Sequence, residues 1–217
     1  REMAKQVAHE IKNPLTPMKL SVQHLNRAIK ENRADGEELV NRVSKTLVEQ
    51  IDHLSFIATE FSSFAKMPKA KNEVLDIYKE SKAIVDLFEK EVSIDFLYED
   101  GLPLYVYMDK SQLVRVLTNI IKNAVQAVEE VESGKVIINL EAYENKIRLR
   151  FNDNGVGISE DLRDKVFEPN FTTKSSGTGL GLAMCKSIIE NANGSIWYES
   201  GSEGTSFYLD LPKYDKK

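Results

Sequence analysis

Several stretches of this sequence pair reactive side chains with spacings that can do chemistry. The first is His9-Glu10-Ile11-Lys12-Asn13-Pro14, followed by Pro17, in strongly helical surroundings. A neutral imidazole keeps a proton on one nitrogen and a lone pair on the other. Glu10 is placed to accept a hydrogen bond from the proton-bearing nitrogen and to take that proton if the other nitrogen attacks an electrophile. His9 lies two residues past Val7, off the apolar seam, so its ring is expected to face solvent. Pro14 and Pro17 remove helical donors and crowd the carbonyls of Glu10 and Asn13, which loosens the helix beside the histidine.

The second half of the chain offers groups that hold a ligand. Asn119 and Asn123 are four apart on a predicted helix, so both amides leave one face. An amide oxygen is a hard neutral ligand suited to Mg²⁺, which binds through few protein groups plus water and phosphate oxygens. Asp153-Asn154-Gly155-Val156-Gly157 follows a predicted strand. A carboxylate there can accept from an exocyclic amine, and the glycines let backbone approach a flat ligand. Gly177-Thr178-Gly179-Leu180-Gly181 opens a helix, whose free amides and dipole suit phosphate. It lacks the Gly-Lys-Ser/Thr ending of a Walker A loop and does not directly follow a strand. Between the two glycine stretches, residues 167–176 form a predicted lid with Phe167 and Phe171 as apolar anchors and Lys174 able to reach phosphate oxygens. Taken singly, each stretch also fits a plainer description: a solvated histidine, two solvent-facing asparagines, a turn, an ordinary loop.

The elements that must position these groups are legible as periodicity. Val7, Ile11, Leu15, Met18, Val22, Leu25 and Ile29 recur every three or four residues, a helix with a bundle-type seam. Turn chemistry over residues 31–36 breaks it, and a second seam runs through Leu47, Ile51, Leu54, Ala58, Phe61 and Ala65. Residues 1–66 are therefore expected to form a helical hairpin. Two helices bury too little to stand alone, so two chains are expected to make a four-helix bundle. Residues 67–72 read as a polar linker, and 73–217 as a second domain. Strands are expected at 73–77, 94–98, 105–108, 136–142, 146–152, 195–199 and 205–211. Helices are expected at 78–91, after the cap Asp109, and from about 178 to 193, ended by Asn193-Gly194. Antiparallel hairpins mixed with helices argue an α+β sandwich.

Composition narrows the function class. The 217 residues carry a net charge of -5, so no basic field marks a nucleic-acid partner. The single cysteine, Cys185, cannot form an intrachain disulfide and is expected to be a small buried hydrophobe. His24 and His53 lack an adjacent carboxylate with downstream prolines and are taken as structural, and Trp197 as sheet packing. No apolar run approaches the ~20 residues that span a bilayer. The chain starts inside a helical pattern without Met, which suggests a piece of a longer protein.

The order Asn-x-x-x-Asn, Asp-x-Gly-x-Gly, Phe-rich lid and Gly-x-Gly-x-Gly resembles the Bergerat-type ATP-binding domain of sensor histidine kinases. The upstream His-Glu-x-x-Asn-Pro resembles their dimerisation and phosphotransfer hairpin. The resemblance covers nearly the whole chain. It implies ATP and Mg²⁺ as cofactors, a homodimer, and a response-regulator receiver domain as partner. His9 would take the γ-phosphoryl group through its Nε2 and pass it to a regulator aspartate, and Asn13 would orient water for dephosphorylation. Asn123 would ligate Mg²⁺, with Asn119 supporting metal or phosphates and Arg115 adding a phosphate contact. Asp153 would pair with the adenine amine, walled by Gly155, Gly157 and Thr205. Lys174, Gly177, Thr178, Gly179, Leu180 and Gly181 would line the phosphate side. Asn170 departs from the aromatic residue of many relatives, which bears on how the lid is anchored. The setting implied is the cytoplasmic part of a bacterial sensor, membrane-anchored only through an upstream region. A gyrase-like conformational ATPase without histidine transfer is the alternative, disfavoured by the His-Glu-x-x-Asn motif, and a non-catalytic dimeric adaptor is a third.

Overall fold

The computed structural model describes residues 2–31, 36–65, 70–98, 103–169 and 179–215, without the side chains of residues 2–10, 36, 56, 60, 61 and 63–65. The chain divides into two compact units, Arg1–Met67 with Pro169–Leu180, and Pro68–Glu168 with Gly181–Lys217.

The first unit is built on two long antiparallel helices, α1 (Glu2–Lys30) and α2 (Gly36–Ala65). Pro14 and Pro17 both lie inside α1, which continues through them. The sequence led us to expect loosening there; the helix persists, while the carbonyls of Glu10 and Asn13 necessarily lack the N–H that proline cannot supply. The Thr16 hydroxyl folds back onto the Lys12 carbonyl at 3.1 Å between the two prolines. Glu37 and Glu38 occupy the first turn of α2, where acidic groups suit the helix dipole. Ala28, Leu39 and Val43 form the buried cluster of the hairpin, with Leu25 and Leu47 packed on it. Five other residues of the predicted seam face outward: Ile11, Leu15, Val22 and Ile29 on α1 and Ile51 on α2 are 37–64% exposed.

The second unit begins with β1 (Asn72–Asp76), α3 (Ile77–Phe88), β2 (Ser93–Leu97), β3 (Tyr105–Asp109) and α4 (Lys110–Val128). It continues through β4 (Lys135–Ala142), β5 (Lys146–Asp153), a 3-10 turn (Glu160–Lys165), α5 (Gly181–Asn191), β6 (Ser195–Gly201) and β7 (Gly204–Pro212). β1 and β3 pair antiparallel as a small sheet, and the main sheet has the order β2-β4-β5-β7-β6. Every neighbour in it is antiparallel except β2, which lies parallel to β4. One face of the main sheet is apolar, through Val136, Ile138, Leu140, Ile147, Leu149, Phe151, Phe207 and Leu209. Against it α4 buries Leu113, Val116, Leu117, Ile120, Ile121, Ala124 and Val128, every third or fourth residue. This is a two-layer α+β sandwich. Asp109 caps α4 by accepting from the Gln112 N–H, and its other oxygen accepts from the Lys71 N–H at 2.8 Å. α5 starts at Gly181 and ends at Asn191, shorter than the expected 178–193. Asn193 takes a left-handed φ of 57° while the Gly194 N–H bonds the Ile189 carbonyl, so the stop is where glycine chemistry put it.

The solvent face of the sheet is held by charge and ring stacking. Trp197 stacks on Tyr208 at 5.1 Å, and the Arg148 guanidinium lies 4.8 Å from the Trp197 ring. Arg148 also grips Asp210 through two hydrogen bonds of 2.7 and 2.9 Å, and Lys146 adds a third at 2.6 Å. Burial pushes the Asp210 carboxyl up, but the bonds from Arg148 and Lys146 outweigh it and hold the group below the usual carboxylate range. A lowered folded-state pKa stabilises the protein above the unfolded value, near ~3.9, and the contribution is lost as pH falls through the folded value. Asp210→Asn is therefore expected to cost about 1–3 kcal/mol at neutral pH in thermal or urea melts. The gap to the unsubstituted protein should close as both are acidified below pH ~4; a gap constant into strong acid would contradict the assignment.

Candidate functional site

β5 ends on Asp153, which is 3% exposed, so a carboxylate is carried into the interior at the edge of the sandwich. A buried carboxylate is tolerated only with hydrogen-bond donors. Its Oδ1 accepts from the Gly155 N–H at 3.0 Å and from the Thr205 N–H at 3.2 Å. The surrounding turns can come this close because side chains are missing. A Cβ at Gly155 would lie 2.4 Å from the Ala127 carbonyl, and one at Gly157 would lie 2.0 Å from the Gly201 carbonyl. Gly204, at φ 123°, would place a Cβ 2.0 Å from the Asp153 carbonyl. Asp153, Gly155, Gly157 and Thr205 are thus brought together as one wall, joining the end of β5 to the β6–β7 turn.

α4 crosses behind this wall and presents the two asparagines. Asn119 and Asn123 are half-buried. The Asn119 Nδ2 donates to the Arg115 carbonyl at 2.9 Å, which turns its Oδ1 toward the start of α5. A Cβ at Gly181 would lie 2.7 Å from that Oδ1. Gly181 therefore lets the N-terminus of α5 close on the asparagine face of α4 with the Asn119 amide in this position. Gly179 has φ 63°, the left-handed region that favours glycine. Phe167 lies edge-on to Tyr198 and Phe207 at 5.9 and 6.3 Å, and the Tyr198 hydroxyl donates to the Arg163 carbonyl. The start of the predicted lid is thus anchored on the sheet.

His9 and Glu10 lie within α1, and Asn13 is exposed on it. Asn170, Phe171, Lys174, Gly177 and Thr178 lie outside the described residues. Cys185 is buried, and burial pushes its thiol up to about 12, so it is a packing residue with no nucleophilic character at neutral pH. A surface depression of about 620 Å³ lies at the opposite end of the sheet, around Tyr143, Lys146, Asn193 and Asp210. Its Lys146 and Asp210 are already paired with each other, so the Asp153 wall is the stronger candidate.

Sequence reasoning missed two residues here. Asn154 accepts from the Lys135 N–H and donates to the Ser133 carbonyl, tying the loop to the turn after α4. Ser200 accepts from the Ile158 N–H at 2.8 Å and touches Thr205 Oγ1 at 2.9 Å. For Asn154 the turn-forming Asp-Asn-Gly stretch was a signal; a serine within a strand gives none.

A helical hairpin followed by a sandwich with a buried aspartate, glycine turns and an asparagine-bearing helix defines an ATPase-type nucleotide domain behind a helical module. Comparison with known proteins gives the same answer. Residues 108–215 match the family described as histidine kinase-, DNA gyrase B- and HSP90-like ATPase, and residues 1–69 match the His kinase A phospho-acceptor domain. Sporulation kinase D of Bacillus subtilis is 35% identical over 97% of this chain and 41% of its own length. Nitrogen regulation protein NtrY of Azorhizobium caulinodans is 31% identical over 97% of this chain and 28% of its own. The chain thus spans less than half the length of these two relatives. The solved catalytic domain of histidine kinase ThkA is 36% identical, with TM-score 0.59, over 66% of this chain and 96% of that one. The structure of ThkA in complex with the response regulator TrrA matches 98% of this chain and 61% of that one, at 28% identity and TM-score 0.76. The chain belongs to the sensor histidine kinase family. Its second unit carries the family's ATP-binding fold.

Gly181→Ala tests the asparagine–helix contact. The added methyl must displace the Asn119 amide, a movable side-chain tip, so the fold should survive with a melting temperature within a few degrees. ATP affinity, measured by titration, is expected to fall roughly tenfold, the scale of one or two lost hydrogen bonds. Unchanged affinity would separate Asn119 from the ligand.

Proposed function

We propose that this chain is the catalytic core of a sensor histidine kinase that transfers the γ-phosphoryl group of ATP to His9 and then to an aspartate of a response-regulator receiver domain. The observation that carries the reading is the buried Asp153 carboxylate in its glycine-built wall, and the phospho-acceptor family match over residues 1–69, the stretch that contains His9, supports it. The residues present fit the substrate: an anionic acceptor suits the adenine amine, and the wall has the close backbone approach a flat base needs. Asn123 would hold Mg²⁺, with Asn119 in support and Arg115 and Lys174 reaching the phosphates. Gly177, Thr178, Gly179, Leu180 and Gly181 would supply the phosphate-side loop. When bound, Mg²⁺ would neutralise charge on the transferring phosphoryl oxygens.

In this mechanism the lone-pair nitrogen of His9 attacks the γ-phosphorus, a nitrogen–phosphorus bond forms, and the bond to the β-phosphate oxygen breaks with its electron pair leaving on ADP. The ring becomes cationic, and Glu10 takes the proton from the other nitrogen. Asn13 would orient water for the reverse use of the same surface, removal of phosphate from the regulator. The uncovered apolar seam of the hairpin supports a homodimer closed as a four-helix bundle. Among the described residues no helix is long and apolar enough to cross a membrane.

Incubation with γ-labelled ATP and Mg²⁺ is expected to give acid-labile, alkali-stable label on the protein, and none on His9→Gln. Full labelling of that variant would remove His9 from the role, and free phosphate without protein label would favour the gyrase-like ATPase. Val22→Asp combined with Ile51→Asp is expected to shift the chain from dimer to monomer in sedimentation, since two charges would enter an apolar seam. A dimer unchanged by both would place the interface elsewhere.

A further inference from the structure

Ser200, on β6, occupies a branch point that the roles above leave unused. Its hydroxyl has one proton and two lone pairs. The Ile158 N–H donates to it at 2.8 Å. The Gly204 carbonyl, 3.2 Å away, can only accept, so that contact uses the Ser200 proton. The Thr205 hydroxyl lies 2.9 Å from Ser200 Oγ. All three contacts are satisfied together only when Thr205 donates its proton to Ser200. Thr205 then has lone pairs alone to offer the wall, beside an Asp153 carboxylate that also only accepts. The same hydroxyl ties the loop at Ile158 to the β6–β7 turn, where Gly157 and Gly204 already exclude side chains.

We infer that Ser200 is a positioning residue that sets the proton direction of Thr205, so that the wall selects a base carrying an exocyclic amine over one carrying a carbonyl at the same place. This rests on Asp153 and Thr205 forming the base site. A wall of acceptors welcomes an N–H donor and repels a carbonyl oxygen, and a site built to hydrogen-bond one group discriminates strongly against an analogue lacking it.

The test compares ATP with inosine triphosphate, which differ at this one edge, by competition titration and by phosphorylation kinetics of the full chain. The unsubstituted protein should prefer ATP. Ser200→Ala should lower the ATP-to-ITP preference roughly five- to tenfold, mainly through KM, with kcat within about twofold. Ser200→Thr, which keeps the hydroxyl, should restore it. In a Thr205→Val background Ser200→Ala should change the preference no further, because Ser200 acts through Thr205. An unchanged preference in Ser200→Ala, or a full additional loss in the Thr205→Val background, overturns the inference. Should Ser200→Ala fail to fold, Thr205→Val alone decides it, since an unaltered preference there also overturns it. Equal binding of ATP and ITP by the unsubstituted protein overturns it too, while failure to bind ATP at all strikes the base-site reading first.

Discussion

A carboxylate buried at the end of a strand is the constraint to which the rest of the second unit conforms. Asp153 gives up hydration, and two backbone N–H groups must replace it. Those donors belong to Gly155 and Thr205, so the loop after β5 and the start of β7 have to converge on one oxygen. Convergence at this distance is incompatible with side chains at 155, 157 and 204, where a Cβ would lie 2.0–2.4 Å from a carbonyl oxygen. The clamp extends to α4, because the Ala127 carbonyl both blocks a Cβ at 155 and accepts from the Val156 N–H. The helix bearing Asn119 and Asn123 is thereby tied to the aspartate loop at one end, and at the other by the Asp109 cap, which also holds Lys71. Hydrogen bonds from Ser111 and Lys71 hold the Asp109 carboxyl below its usual range, so the cap is an anion at neutral pH.

What the sequence showed follows from how local each determinant is. The apolar spacing of α4, its Asp109 cap and the Asn193-Gly194 stop are set within a few residues, and the structure has them where the pattern indicated. The order of the glycine stretches revealed the nucleotide fold because several weak motifs in one order are jointly specific. Ser200 was invisible, since its meaning depends on Ile158, 42 residues away, and Asp210 likewise meets Arg148 across 62. The parallel placement of β2 beside β4 was not legible either, because alternation along a strand does not say which neighbour it joins. The onset of α5 was misplaced by three residues because a glycine-rich helix start offers no capping side chain. Lys174, Gly177 and Thr178 lie outside the described residues.

The first unit shows the converse, a pattern legible in sequence but unspent in a single chain. Ala28, Leu39 and Val43 form the buried contact of α1 with α2, yet the three-four seam of α1 leaves Leu15 and Ile29 about half exposed or more. At ~25 cal/mol per Å² of apolar surface removed from water, a seam of this length represents several kcal/mol that only another apolar surface can recover. A second copy offers the same seam, and closure by two-fold symmetry adds no new sequence requirement.

The prolines of α1 complete the argument from the same side. Each one inside a helix forgoes a backbone hydrogen bond and costs about 3 kcal/mol relative to alanine. Two of them within four residues are hard to reconcile with a segment whose only task is to be a stable helix. α1 nevertheless runs unbroken from Glu2 to Lys30, so the remaining helical hydrogen bonds and the packing of Leu25 and Ala28 on α2 offset the missing ones. The carbonyls of Glu10 and Asn13, left without intrahelical donors, flank the turn that begins at His9. A helix that is continuous yet locally short of hydrogen bonds bends at little further cost at that turn. For a histidine proposed to meet a phosphoryl donor and, later, a receiver domain, such a compliant turn is where a change in bundle geometry would act.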